Sequence, residues 1–144
     1  MLLARRIGDD GPEIVLPGYE WQMPQGGVDP NEDLAAAAKR ELWEETGVTS
    51  AELLGRLSPA LRYEFPPYDG PEHKLSAYRG QEQVWFAMRF LGSETEIDLT
   101  GQGEAAEFSE WVWADLASAI DRVVPYKRHI YRRVAAEFAC FGEV

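Results

Sequence analysis

Glu41, Glu44 and Glu45 stand close together in the run Arg40-Glu41-Leu42-Trp43-Glu44-Glu45. On a helix, at about 100° per residue, they fall within roughly a 100° arc. Glu41 and Glu44 are i,i+3 neighbours, and Glu41 and Glu45 are i,i+4 neighbours. Like charges so placed cost an isolated helix about 0.2–0.5 kcal/mol per pair, so helix propensity does not account for them. The plain structural reading is a solvated acidic face with ion pairs from Lys39 and Arg40. The chemical reading is a site for a hard divalent cation. Mg²⁺ takes oxygen ligands and keeps several of its waters. Held by carboxylates against a phosphate, it neutralises phosphate charge and lowers the pKa of a bound water.

That chemistry needs a helix, and the flanking residues predict one from Pro30 to Thr46. Asp29 suits the N-cap, Pro30 the first helical position, and Glu32 closes an Asp version of the capping box. Leu34, Ala35, Ala38 and Leu42 form an apolar stripe, and Gly47 supplies the C-terminal stop. Before it, MLLARRI reads as a strand and GDDGPEIVLPGYE as a loop. After it, AELLGRLSPALRYEF reads as strand material broken at Pro59, and residues 66–80 read as a loop. QEQVWFAMRFLG is the strongest strand signal in the chain. EWVWADL reads as a short strand leading into a helix start, and a last helix is expected from about Lys127 to Phe141. Strands and helices mix without regular βαβ alternation. This predicts an α+β fold, an α/β/α sandwich around a mixed sheet, as one domain over residues 1–144.

The chain of 144 residues is long enough for one packed core. Cys140 is the single cysteine, so no internal disulfide is available and a reducing cytoplasm is compatible. No apolar run approaches the roughly 20 residues of a membrane helix. MLLARRIGDDG lacks the apolar core of a signal peptide. The net charge of −11 carries no basic footprint for DNA or other long nucleic acid. Arg122, Lys127, Arg128, His129, Arg132 and Arg133 make one locally basic stretch: either a solvated helix face, or the patch with which an acidic protein admits a polyanion.

The spacing beyond the glutamates is specific. Gly26, five residues, Glu32, seven residues, Arg40-Glu41-Leu42, one residue, Glu44-Glu45, one residue and Gly47-Val48 match the Nudix box at every defined position. From average residue usage such a match arises by chance on the order of 10⁻¹⁰ per starting point. The chain therefore resembles the Nudix hydrolase superfamily. WQMPQGG at 21–27, GQEQVWF at 80–86 and the tail EFSEWVW…VVPYKRHIYRRVAAEFA at 107–139 resemble the bacterial branch acting on RNA 5′ ends and dinucleoside polyphosphates.

The resemblance implies a Nudix fold and a Mg²⁺-dependent hydrolase, with Mn²⁺ or another divalent cation able to substitute. It implies that Glu41, Glu44 and Glu45 bind metal, with Glu41 also close to the attacking water. Gly26 and Gly27 would form the tight loop before the helix, where the Gly26 carbonyl can approach metal. Glu32, Arg40 and Gly47 would hold the loop–helix–loop together. Glu107 would be an extra carboxylate for metal or base work. Arg6 would contact phosphate, Tyr63 and Tyr126 would lie near the base, and Lys127 and Arg128 would add positive charge. Trp21, Trp85, Trp111 and Trp113 are read as packing residues. Two departures stand out. The family's first strand, ahead of a segment like MLLARR, is not found, which opens the prospect of an exposed sheet edge and an oligomer. Val84 stands where this branch has lysine.

Three functions fit these residues. One is removal of pyrophosphate from the triphosphorylated 5′ end of RNA. The second is hydrolysis of free dinucleoside polyphosphates. The third is a non-catalytic nucleotide-binding module, against which the retained repulsive glutamate cluster argues.

Overall fold

A computed structural model describes residues 1–142, so the domain expected over 1–144 ends two residues beyond the described ones. Seven strands and three helices follow in chain order: β1 (Leu2–Arg6), β2 (Trp21–Gln22), α1 (Leu34–Thr46), β3 (Ala51–Arg56), β4 (Leu61–Glu64), β5 (Gly80–Gln83), β6 (Phe86–Phe90), β7 (Phe108–Trp113), α2 (Leu116–Arg122) and α3 (Arg128–Phe138). The α+β class expected from the sequence holds. β1 lies between β2 and β7, β3 pairs with β6, and β4 with β5, each pair antiparallel. With a partner on each side, β1 is not itself an edge. A register shift between Arg5 and Arg6 interrupts the β1–β7 ladder. Such bulges re-aim side chains, and Arg6 reaches from it toward the 7–20 loop.

Two boundaries differ from the sequence reading. Asp29 is not the cap of α1, and residues 30–33 are not helical. Asn31 takes a left-handed φ of 64°, which an α-helix does not accommodate. Asp33 is the N-cap instead, accepting the Ala36 N–H at 3.0 Å. The expected reciprocal bond survives as a separate turn, in which Glu32 Oε1 accepts the Asp29 N–H at 3.0 Å. At the other end Gly47 closes α1 at φ 74°, as its lack of a Cβ permits. The second difference is QEQVWFAMRFLG, which is two strands. β5 bonds to β4 and β6 bonds to β3, and the chain changes partner at Val84–Trp85. Trp85 turns into the core there, edge-on to Tyr131 with ring centroids 5.9 Å apart. A strand period cannot report this change of partner.

The core gathers Leu3 from β1, Val123 and Val124 after α2, and Ile130, Tyr131 and Val134 of α3. The Tyr131 hydroxyl accepts the Met23 N–H at 2.7 Å, so the core holds the start of the loop that leads to Gly26. On α1 the buried positions are Ala37, Glu45 and Thr46, and Leu34, Ala38 and Leu42 line a largely apolar cavity of about 880 Å³. No helix among the described residues is long and apolar enough to cross a membrane.

Candidate active site

α1 carries the acidic cluster, and its loop is built onto one arginine. Arg40 grips Glu32 with two bonds of 2.8 Å and donates to the Gly27 carbonyl at 2.9 Å. It also reaches Glu41 at 2.9 Å and Glu44 at 3.2 Å. Planar two-point pairing of this kind fixes direction as well as distance. It holds the Glu32 carboxyl down to about 2, first through the Arg40 hydrogen bond and then through the Asp29 N–H. Glu32 and Arg40 thus tie the loop before α1 to the helix itself.

The remaining carboxylates are crowded. Glu45 is buried, accepts the Gln25 N–H at 3.2 Å, and its pKa is pushed well above the ordinary carboxylate range. Burial is the largest cause, followed by the charge of Glu107, a hydrogen bond shared with it, and Glu41. Burial also raises Glu41, against the pull of Arg40. Glu107 is exposed, in the stretch just before β7, and its backbone carbonyl accepts the Ile7 N–H at 3.0 Å. The structure therefore brings together Glu41, Glu45 and Glu107 from two distant segments. Gly26 lies directly against the Glu41 carboxylate, and a Cβ there would overlap it. Among the described residues, no three acidic, histidine or cysteine side chains converge as a finished metal cage. Arg40 accounts for this, because it draws Glu41 and Glu44 toward its own guanidinium. A divalent cation still fits the donor set, which is all oxygen and rich in negative charge, with the Glu41 carboxylate seated against Gly26.

A second polar group lies beneath the loop of residues 7–20. Lys127 is 1% exposed. Its Nζ donates to Gln22 Oε1 and Gln25 Oε1 at 3.2 Å each, sits 3.5 Å from Glu13 Oε2, and lies 5.2 Å from the centre of the Tyr63 ring. Burial lowers its pKa to about 8, against the opposing charge of Glu13. Tyr63 is buried. Its hydroxyl donates to Gln81 at 2.9 Å and accepts from Gln25 at 3.4 Å. Tyr126 packs 5.9 Å from Tyr63, its rings tilted by 35°, and its hydroxyl donates to the Ile14 carbonyl at 2.8 Å. Arg6 Nη2 donates to the Glu13 carbonyl at 2.9 Å, while the buried Nη1 has no hydrogen-bond partner among the described residues.

Arg6, Tyr63, Tyr126 and Lys127 therefore meet in one cluster around Glu13 and Ile14. Gln25 joins that cluster to the glutamates through its own backbone and side chain. The basic stretch 122–133 is not one phosphate-facing surface. Arg122 stacks on Trp21 at 4.6 Å, Arg128 lies over Tyr19 at 5.6 Å, and Arg133 pairs with Glu137 at 3.0 Å. Glu13, Gln81 and Gln83 were not anticipated. Gln81 and Gln83 lie within GQEQVWF, a stretch that carries the family resemblance without singling out its glutamines. Glu13 stands in an acidic loop with no period, so nothing local marks it.

An α+β fold that sets a carboxylate-bearing helix behind a glycine loop held by an arginine defines the class. The chain belongs to the Nudix family, whose NUDIX domain model matches residues 1–134. It is 53% identical over 128 residues to an RNA pyrophosphohydrolase of Caulobacter vibrioides strain NA1000, covering 88% of this chain and 73% of that protein. It is 47% identical over 144 residues to an RNA pyrophosphohydrolase of Rhodopseudomonas palustris strain BisA53, covering 99% of this chain and 81% of that protein. A protein of the same name from Acidiphilium cryptum is 48% identical over 143 residues, covering 99% and 84%. Among solved structures, a C. elegans Ap4A hydrolase binary complex superposes with a TM-score of 0.61. At 21% identity, over 97% of this chain and 87% of that one, it shows the shared fold.

Proposed function

We propose that this protein is a Mg²⁺-dependent pyrophosphohydrolase that cleaves the 5′-triphosphate end of RNA by attack of water on phosphorus. The observation that carries the chemistry is the crowding of Glu41, Glu45 and Glu107 beside Gly26, with two of the three raised in pKa. Carboxylates so disfavoured as anions are relieved by a divalent cation, and the Nudix family membership makes that cation expected. The relatives named RNA pyrophosphohydrolase, at 47–53% identity, support the choice of substrate.

Glu41, Glu44, Glu45 and the Gly26 carbonyl would hold the cation, as the Nudix box implies. When bound, such an ion neutralises phosphate charge and acidifies water. Glu41, whose pKa burial raises, is suited to take the proton as water adds to phosphorus and the anhydride P–O bond breaks. Glu107, shared with Glu45, is the second acceptor within reach. Arg40 releases Glu41 and Glu44 while keeping Glu32 and Gly27, because those bonds are independent. Arg6 and Lys127 receive phosphate oxygens, Tyr126 offers a ring face to the first base, and the buried Tyr63 packs behind Tyr126. Pyrophosphate leaves from a triphosphate end.

Free dinucleoside polyphosphates are the second reading, favoured by the net charge of −11, which disfavours a long polyanion. The deciding experiment assays triphosphorylated RNA and diadenosine tetraphosphate in parallel with Mg²⁺. Release of pyrophosphate from RNA at the higher kcat/KM is expected. Preference for the dinucleotide would replace the first reading by the second.

A further inference from the structure

The 7–20 loop is exposed at residues 7–10, 17 and 18, half-buried elsewhere, and dips into the protein at Pro12 and Glu13. Glu13 is 4% exposed, although it is an acid in an irregular surface loop. What holds it there is unusual. Arg6 donates to its carbonyl, Tyr126 donates to the carbonyl of Ile14 next to it, and Lys127 faces its carboxylate. Gln25 Nε2 adds bonds of 3.3 and 3.4 Å to the two carboxylate oxygens. These are the side chains that the proposed activity reserves for substrate. One buried guanidinium nitrogen of Arg6 remains without a partner beside them. A carboxylate held by a lysine and an amide, next to a half-satisfied arginine, presents the charge and acceptor geometry of a phosphate oxygen pair.

We propose that Glu13 and Ile14 form a substrate-mimicking strap: the Glu13 carboxylate occupies the place of a substrate phosphate, and polyphosphate binds by displacing it. This rests on the reading of Arg6, Tyr126 and Lys127 as substrate contacts. Around the strap the loop is also held by the paired backbone of Asp10 and Glu13, the Val15 N–H on Asp9, the Asp10 carboxylate 3.0 Å from His73 Nε2, the burial of Pro12, and the packing of Leu16 and Tyr19 on the core. Lys127 is inaccessible while Glu13 is seated, so an anion can reach it only after the strap moves. A phosphate entering the pocket restores the compensation that Lys127 loses, which keeps a buried cation from being left unpaired. The apparent affinity for substrate is then reduced by the fraction of molecules in which the strap is closed.

The test compares the unaltered enzyme with Glu13→Gln, which keeps the side-chain shape and the backbone bond to Arg6 but removes the anion and one of its two acceptor oxygens. Two constants are read with Mg²⁺ present: KM for triphosphorylated RNA, and Kd for inorganic tripolyphosphate by calorimetry. Both are expected to fall by roughly tenfold, with kcat held. A purely structural Glu13 predicts the opposite sign, so a rise or no change in either constant overturns the proposal. Hydrogen exchange on the unaltered protein gives an independent reading, which decides the matter if Glu13→Gln does not fold. Tripolyphosphate with Mg²⁺ should speed exchange at the Glu13 and Val15 amides, where ordinary ligand binding would slow it. Unchanged or slower exchange overturns the strap. If neither enzyme hydrolyses RNA, the proposed activity fails, while the tripolyphosphate affinity and the exchange rates still test the strap.

Discussion

The acidic face of α1 and the pocket around Lys127 are joined by Gln25, yet they solve opposite charge problems. On α1, Arg40 is shared among Glu32, Glu41 and Glu44, and Glu45 and Glu107 are left facing each other. Among the described residues no ion pair answers Glu45 or Glu107, and the face keeps a negative excess. Around Lys127 the balance is internal: Glu13 faces the ammonium, and two glutamines, Gln22 and Gln25, and two tyrosine rings complete its shell. The first region is the one that the proposed cation would complete. The second is complete as it stands and has to be opened. Family resemblance treats both as ligand sites, and the difference lies in whether the chain supplies its own substitute for the ligand.

The sharpest way to break this contrast is to withhold the cation. EDTA is expected to abolish hydrolysis, and Mg²⁺ or Mn²⁺ to restore it, since clustered carboxylates repel a polyphosphate. Full turnover in exhaustively chelated buffer would remove the acidic face from the mechanism.

Next in size are Glu44→Gln and Glu45→Gln, each expected to lower kcat by about a hundredfold or more, as loss of even indirect support for a metal costs tens-fold. Glu45→Gln should also leave the metal-free melting temperature unchanged or higher. The Glu45 pKa is raised on folding, so between its unfolded and folded values the native state binds more protons than the unfolded one. Stability contributed there is present at low pH and lost as pH rises through the folded pKa. Metal-free parent protein should therefore melt higher as pH falls from neutrality toward the ordinary carboxylate range, and Glu45→Gln should flatten that slope. A parent slope of opposite sign, or one unaltered by the substitution, would contradict the assignment.

Tyr126 tests the pocket. Tyr126→Ala should raise KM for nucleotide substrates by the equivalent of about 1–3 kcal/mol if a base stacks there. It should leave hydrolysis of a base-free polyphosphate little changed. Because the ring packs on Tyr63 and is partly buried, about 3 kcal/mol of stability should also be lost. Calorimetric unfolding and kinetics on one preparation separate the two effects. A destabilised variant with normal KM would make Tyr126 a packing residue alone.

The smallest effect concerns Lys127. Its pKa falls from 10.5 to about 8 on folding, so within that window the unfolded chain binds more protons. Stability should rise with pH across it, and Lys127→Met should remove the rise. Alkaline titration of urea midpoints checks this. An identical alkaline profile in the variant would show that the buried ammonium is not what titrates.

What could be read in the sequence was local. The spacing from Gly26 to Val48 carried the family, the helix, its glycine stop and the glutamates that share one face. Strand periods located β1, β3, β4 and β7, because side-chain alternation and helical repeat are properties of neighbouring residues. The start of α1 was misread for a local reason as well. Asp29 and Asp33 are both capping residues, and only the left-handed Asn31 between them decides which one begins the helix. Other features required the folded chain. Whether Gln83 and Phe86 share a strand depends on β4 and β3 competing for them. Whether Lys127 meets solvent or Glu13 depends on residues more than 100 positions apart being brought together. Charge and burial act through space, so a buried lysine and the acid that covers it leave no mark in the pattern of either one's neighbours.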